Sequence, residues 1–344
     1  MDAPAGGNAR FDIATLPLPV IQAPMAGGPS TPELAAAVSS RGGLGFLAAG
    51  YKAAAAVKSE IEATRRLTGA PIGVNVFVPQ PSAISPGALE RYALSLAPDA
   101  ERLGVALGDP RHDDDWDNKI DVLLEQVPEA VSFTFDVPEP AVIAALQQRG
   151  ACVIGTVTSR PEAVRALEAG VDALCVQGPE AGGHRGTFDT ARRPEGESLH
   201  GLLEELADLG VPLIAAGGIA TGADVRAALA RGAVAVQAGT AFLRADEAGT
   251  KPAHRRALSA GRFTTTAVTR AFSGRNARGL YNEFMRRHDD EAPDGYPEIH
   301  HLTTPLRAAA AAAGDADWMN LWAGTGFQRT TAGPASAILA SLQP

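Results

Sequence analysis

Between residues 19 and 238 the chain alternates short apolar runs with amphipathic stretches of helical period, and that alternation predicts repeated strand–helix units. The apolar runs at 19–25, 45–49, 72–78, 131–135, 152–157, 174–177, 212–216 and 233–238 have the length of strands. Helical patterns fill 31–41, 53–67, 140–149, 161–169 and 199–209, and another helix opens at Thr221-Gly-Ala-Asp. The first helix carries a start signal, Thr31 as a hydroxyl cap followed by Pro32 in the first turn, and it stops at Gly42 and Gly43. Eight strands separated by helices predict an α/β fold, a (β/α)8 TIM barrel, in preference to a doubly wound open sheet.

One unit is echoed within the chain. Residues 164–178 run helix, glycine stop, apolar strand and Gln177, and 225–239 repeat that order with Gln237 in the corresponding place. Both glutamines then sit at the C-terminal ends of barrel strands, where barrel active sites lie. Two regions break the alternation. Residues 79–125, proline-rich and then acidic at Asp113, Asp114, Asp115 and Asp117, are too long for a plain connection and predict a helical insertion over the barrel mouth. The barrel is expected to span 11–244, with a smaller helical cap at 245–315 and a C-terminal helix within 316–344 that returns to the barrel. Ala308 to Ala313 is strongly helix-favouring.

Composition narrows the function classes. A chain of 344 residues with 45% hydrophobic and 20% charged residues is ample for one large enzyme core. A net charge of −9 with no basic stripe argues against nucleic acid and against an anionic membrane surface as partners. No apolar run reaches the ~18–20 residues of a membrane span. The small, polar segment 1–10 lacks the apolar core of a signal peptide, so a cytoplasmic protein, monomer or homodimer, is expected. Cys152 and Cys175 each fall inside a strand-like run and read as buried, reduced thiols; no metal site is expected.

The segment from Gly178 to Phe188 holds the most chemistry. It sets His184 in a loop with glycines at 178, 182, 183 and 186, where backbone can approach a flat or anionic ligand closely. A histidine there either works as acid, base or hydrogen-bond donor, or is simply solvated. After the seventh strand comes Ala216-Gly-Gly-Ile219, and after the eighth Gln237-Ala-Gly-Thr240. Gly217, Gly218, Gly239 and Thr240 are either a phosphate cradle of the kind barrels carry at these loops or plain tight turns. Met25 after the first strand and Asn75 near the end of the third complete a ring with Gln177, Gly182, Gln237 and Ala238. Amide donors, an apolar platform and a phosphate cradle fit flavin mononucleotide (FMN).

Gln22-Ala-Pro-Met-Ala-Gly-Gly28, Gly45-Phe-Leu-Ala-Ala-Gly-Tyr-Lys52, Gly73-Val-Asn-Val-Phe77 and Gly178-Pro-Glu-Ala-Gly-Gly-His-Arg-Gly186 resemble the nitronate monooxygenases, once called 2-nitropropane dioxygenases, of the bacterial class I. The resemblance continues through 132–135, 215–219, 236–243, 269–275 and 321–324, in order along nearly the whole chain. It implies an FMN-bearing barrel that oxidises alkyl nitronates such as propionate 3-nitronate with O2 to a carbonyl compound and nitrite, through a flavin semiquinone. It also implies flavin contacts at Asn75, Gln177, Gly182, Gly218 and Gln237 to Thr240, with His184 as the active-site histidine.

The chain departs from that pattern at Asp136, where the family usually has glycine. The carboxylate either points into the mouth and raises the pKa of His184, or faces solvent beside Pro138. His300 and His301 either cap the cavity or pack a loop; Tyr51 and Lys52 either line the pocket or close a turn. His112 is expected to be solvated, and Arg270 and Arg275, in the cap, either steer an anionic substrate or, by default, pair at the surface. An FMN-dependent reductase fed by NAD(P)H, acting on quinones or enoyl thioesters, is the main alternative, and a non-catalytic flavin-binding regulator the other.

Overall fold

The computed structural model describes residues 10–82, 84–110, 114–190 and 196–344; His112 lies outside them. Eight parallel strands close into a barrel: β1 (Val20–Gln22), β2 (Leu44–Ala48), β3 (Ile72–Phe77), β4 (Ala130–Thr134), β5 (Cys152–Val157), β6 (Ala173–Gln177), β8 (Leu213–Ala216) and β9 (Ala233–Ala238). The ring shuts where β1 pairs with β9 through Val20 and Val236. β1 is the shortest of these strands because Pro24 has no N–H to continue the ladder.

Both faces of the strands are buried, as parallel sheets require. Inside the barrel Phe46, Ile154, Ile214, Cys152 and Cys175 form one cluster. The Phe46 ring lies over Gly73, where a Cβ would come within 2.5 Å of several ring carbons, so the missing side chain makes the room. Both cysteines are free thiols, pushed up to about 12 chiefly by burial. Outside, the strands pack on α1 (Pro32–Ser39), α2 (Ala54–Leu67), α4 (Trp116–Gln126), α5 (Pro140–Gln148), α6 (Arg160–Ala169), α7 (Leu199–Leu206) and α8 (Gly222–Leu229). Thr31 caps α1 by accepting from the Leu34 N–H at 3.0 Å, and Thr221 with Asp224 forms a reciprocal box at the start of α8. The internal echo is literal: Gln177 and Gln237 are both in register with Ala216 on β8, one from each side.

The 79–125 stretch is two elements of different character. α3 (Pro86–Leu103) packs on α11 (Glu298–Ala313) in a second core, whereas α4 lies between α2 and α5 as the crossover that parallel β3 and β4 need. The acidic run has local work to do. Asp115 accepts from the Ala54 N–H at 2.7 Å at the start of α2, and Asp114 accepts from the Tyr51 N–H at 2.8 Å. The second core gathers residues of α3, α9 (Pro252–Ala257), α10 (Glu283–His288) and α11. Beside these helices stands a three-stranded antiparallel sheet, β10 (Thr266–Thr269), β11 (Ala277–Leu280) and β7 (Gly183–His184), which sequence periodicity does not show. α12 (Ala335–Ser341) packs back against α1. Among the described residues no helix is long and apolar enough to cross a membrane.

Candidate active site

A cavity of about 430 Å³ opens between the C-terminal rim of the barrel and the second core. Its size suits a ligand of cofactor scale. His184, Met25, Asn75, Gln177 and Gly182 line it, as do Gly217, Gly218 and the turn from Gln237 to Thr240, so the ring expected from the sequence meets in one space. Tyr51 and His300 line it as well, their rings stacked at 3.7 Å, whereas Lys52 turns away to pair with Glu60.

The rim at β8 and β9 presents bare donors. Gly217 (φ +126°) and Gly218 (φ +70°) hold backbone angles that L side chains rarely adopt. The N–H groups of Gly217, Gly218, Gly239 and Thr240 donate to no protein acceptor among the described residues. These half-buried N–H groups border one cavity together, a donor set that can accept an anion.

The side-chain amides behave differently from one another. Asn75 donates through Nδ2 to Ser132 O, Ser132 Oγ and Thr134 Oγ1 at 2.9–3.1 Å, which leaves Oδ1 free for a ligand donor. Gln177 is engaged at both ends: Nε2 donates to His184 O at 3.1 Å and Oε1 accepts from the Gly186 N–H at 2.8 Å. Its amide therefore holds the histidine loop in place. Among the described residues Gln237 Nε2 has only the Cys175 sulfur, at 3.3 Å.

His184 is fixed from two sides. Its backbone is paired with Ala277 in the three-stranded sheet, and its Nε2 lies 2.9 Å from Ser273 Oγ. Phe135, Tyr296 and Trp322 meet its ring edge-on with centroids 5.5–5.9 Å away. Burial, then the nearby Arg275 and Arg307 charges, push its pKa down to about 3, so the imidazole is neutral at physiological pH. Arg275 is not at the surface, as expected from sequence, but 1% exposed. It donates to Thr187 O, to Arg185 O at 3.2 Å and to Gln80 Oε1 at 2.8 Å, with its guanidinium 3.8 Å from the Phe135 ring centre. It clamps the loop that carries His184. Arg270 donates to Thr190 O and does not line the cavity.

Sequence reasoning missed the cations on the cap side. Arg307 is buried and donates to Thr303 Oγ1, Thr304 Oγ1 and His300 O, yet no carboxylate pairs with it among the described residues. Desolvation lowers its pKa to about 10 and, with Arg307 itself, lowers that of neighbouring Lys251. His254, with Nε2 unpartnered, is pushed down to about 4 by burial. His300, Thr304 and Arg307 recur at helical spacing on alanine-rich α11. That polar stripe was the signal available.

The sequence profile of the nitronate monooxygenases matches residues 9–344. The chain belongs to the nitronate monooxygenase family. A Staphylococcus saprophyticus protein described as "Probable nitronate monooxygenase" is 40% identical over 316 residues, 89% of this chain and 88% of its own. The crystal structure of nitroalkane oxidase from Streptomyces ansochromogenes superposes with a TM-score of 0.92 at 49% identity, covering 95% of both chains. FabK from Thermotoga maritima is more distant, with a TM-score of 0.74 and 26% identity over 96% of this chain and 93% of that one.

Nitronate monooxygenases are flavin-dependent oxidoreductases, and this chain is such an enzyme. Its departure at Asp136 leaves the cavity untouched. The carboxylate caps the Val137 N–H at 2.8 Å and pairs with the exposed Arg165 at 2.8 Å. It therefore does not raise the pKa of His184, which moves the other way. The left-handed residue of this turn is Phe135 (φ +83°), so position 136 places no demand for glycine.

Proposed function

We propose that the enzyme binds FMN and oxidises alkyl nitronates, propionate 3-nitronate among them, with O2 to a carbonyl compound and nitrite. The residues fit that cofactor on one observation above all: four unpartnered backbone N–H groups of Gly217, Gly218, Gly239 and Thr240 converge on the cavity, the donor set a phosphate monoester takes. Met25, Asn75, Gln177, Gly182, Gln237 and Ala238 would flank the ring system, with Asn75 Oδ1 as an acceptor for a ring N–H and Met25 as an apolar platform. When bound, FMN supplies the redox chemistry, taking electrons from the nitronate and passing them to O2.

The chain's own part is electrostatic and positional. Arg307 and Lys251, with no carboxylate partner among the described residues, make the cap wall attractive to an anion inside a protein of net charge −9. A nitronate beside His184 favours the protonated ring and so draws a proton onto it. The aromatic walls of Phe135, Tyr296 and Trp322 exclude water from that contact.

Absorption spectroscopy of the purified protein tests this directly. A flavin spectrum that bleaches with propionate 3-nitronate without air, and nitrite formation on adding air, are expected. Colourless protein that cannot be reconstituted with FMN overturns the reading. Bleaching by NADH or NADPH instead of nitronate would make the enzyme a reductase.

A further inference from the structure

Tyr51 follows β2 with its backbone at φ +67°, a conformation that L side chains rarely adopt. Two contacts hold it there: its N–H donates to Asp114 Oδ1 at 2.8 Å, and its ring stacks on His300 at 3.7 Å with the planes 8° apart. Strain kept in place this way collects at ligand sites. The Tyr296 hydroxyl donates to Tyr51 Oη at 3.1 Å, and Tyr296 itself does not line the cavity. A phenol carries a single proton, so the proton of Tyr51 is left without a protein acceptor among the described residues, on a residue that does line the cavity. Burial pushes that phenol well above its usual range, so it remains a donor at physiological pH.

His300 links Tyr51 to Arg307, whose Nη2 donates to the His300 carbonyl at 2.6 Å. Arg307 Nε and Nη2 are taken up by Thr303, Thr304 and His300, whereas Nη1 has no acceptor among the described residues and Arg307 lines the cavity. The Arg307 charge bears on the Tyr51 phenol, so the two donors are neighbours. A buried guanidinium with no carboxylate partner among the described residues, beside a phenol proton with no acceptor there, calls for an oxyanion.

We propose that Tyr51 Oη and Arg307 Nη1 form a subsite for a planar oxyanion, the O–N–O edge of the nitronate and of the nitrite that leaves, and that Tyr296 is a positioning residue turning the Tyr51 proton toward it. The proposal deepens the nitronate-oxidising reading of the site and rests on it. The subsite joins both walls of the cavity, since Tyr51 comes from the barrel rim and Arg307 from α11. Two donors on one O–N–O edge fix the plane of the substrate as well as its position. The step is binding alone, and no bond forms or breaks in it.

Nitrite titrated into the FMN-loaded enzyme, followed by the flavin absorbance, reads this subsite without turnover. Tyr51→Phe keeps the ring and its stack on His300 and removes only the hydroxyl. It should weaken nitrite about 10-fold or more and raise KM for ethylnitronate to the same degree, the scale of a hydrogen bond to a charged group, with kcat within about threefold. Arg307→Gln should weaken nitrite at least as much. Tyr296→Phe should weaken nitrite about threefold in the wild-type background and no further in Tyr51→Phe, because it acts through that hydroxyl. A crystal structure of the wild-type holoenzyme with nitrite should place an oxygen within hydrogen-bond distance of Tyr51 Oη, a readout that stands even where a variant fails to fold. No nitrite binding by the wild type, unchanged nitrite affinity in Tyr51→Phe, or additive losses with Tyr296→Phe would overturn the proposal. So would a loss confined to propionate 3-nitronate, which would assign the two donors to its carboxylate. A wild type that never turns over ethylnitronate would strike the nitronate-oxidising reading instead, while the nitrite titration still decides the subsite.

Discussion

The two walls of the cavity are built from different chemistry. On the barrel side, the loops after β8 and β9 contribute backbone N–H groups, and β3, β6 and β9 contribute amide side chains, all neutral at any pH. On the other side, β7 and the segments after β9 bring His184, Lys251, His254, His300 and Arg307, titratable or charged, of which His254, His300 and Arg307 are buried and Lys251 is exposed. A wall of neutral donors selects by shape and hydrogen bonding, and its effect persists when pH changes. A wall of desolvated charges selects by sign and responds to protonation. The first suits a resident cofactor, the second a transient anionic substrate.

Substitutions on opposite walls should therefore fail differently. The largest effect is expected from His184→Asn, which should lower turnover of a nitroalkane about 10²- to 10⁴-fold while leaving the bound-flavin spectrum in place. Steady-state kinetics beside an absorption scan would check this, and unaltered turnover would remove His184 from the mechanism. Next comes Gly217→Ala. Its φ of +126° and a Cβ only 3.1 Å from the Ala181 nitrogen should add about 1–3 kcal/mol of strain to the cradle. FMN affinity should fall roughly 5- to 150-fold by fluorescence titration, with less change in turnover once the cofactor is saturating.

Acid stability should report the charged wall as well. His184 and His254 are held at about 3 and about 4 in the folded state against 6.5 when free. Below about pH 6.5 the unfolded chain takes up protons that the folded one refuses, so stability falls as pH drops toward 4. Each histidine contributes on the order of 1.4 kcal/mol per pH unit across that window. Urea midpoints at pH 7 and pH 5 should differ less in His254→Gln than in wild type; an identical difference would show that His254 is not buried neutral. The smallest effect is expected at Asp136→Gly. It loses one ion pair to an exposed arginine, and should shift stability by about 1 kcal/mol or less with kcat unchanged. A large loss of activity there would put the carboxylate back in the cavity.

The barrel wall was also the more legible one. Gly217, Gly218, Gly239 and Thr240 follow directly on apolar runs, so locating the strands located the cradle, and the repeat of Gln177 in Gln237 fixed two depths at once. The cap wall is assembled from residues distant in sequence. Ser273 meets His184 across 89 positions, and nothing in the run Ala271-Phe-Ser-Gly-Arg275 says what its hydroxyl faces. Arg275 read as a surface cation because charge usually means exposure. It is buried because three oxygens and an aromatic face receive it.

Hydrophobic period, glycine stops and caps are local properties, and they determined the eight strands, the rim loops and the position of His184 on that rim. Tertiary structure decided what is non-local. It placed β7 in a second sheet and split the 79–125 stretch between two cores. It also turned Asp136 outward, and it left Arg307 without a carboxylate partner among the described residues while lowering the pKa of His184. The reason is that desolvation and pairing depend on which chains of atoms pack together, and an amino-acid sequence encodes its neighbours along the backbone far more directly than its neighbours in space.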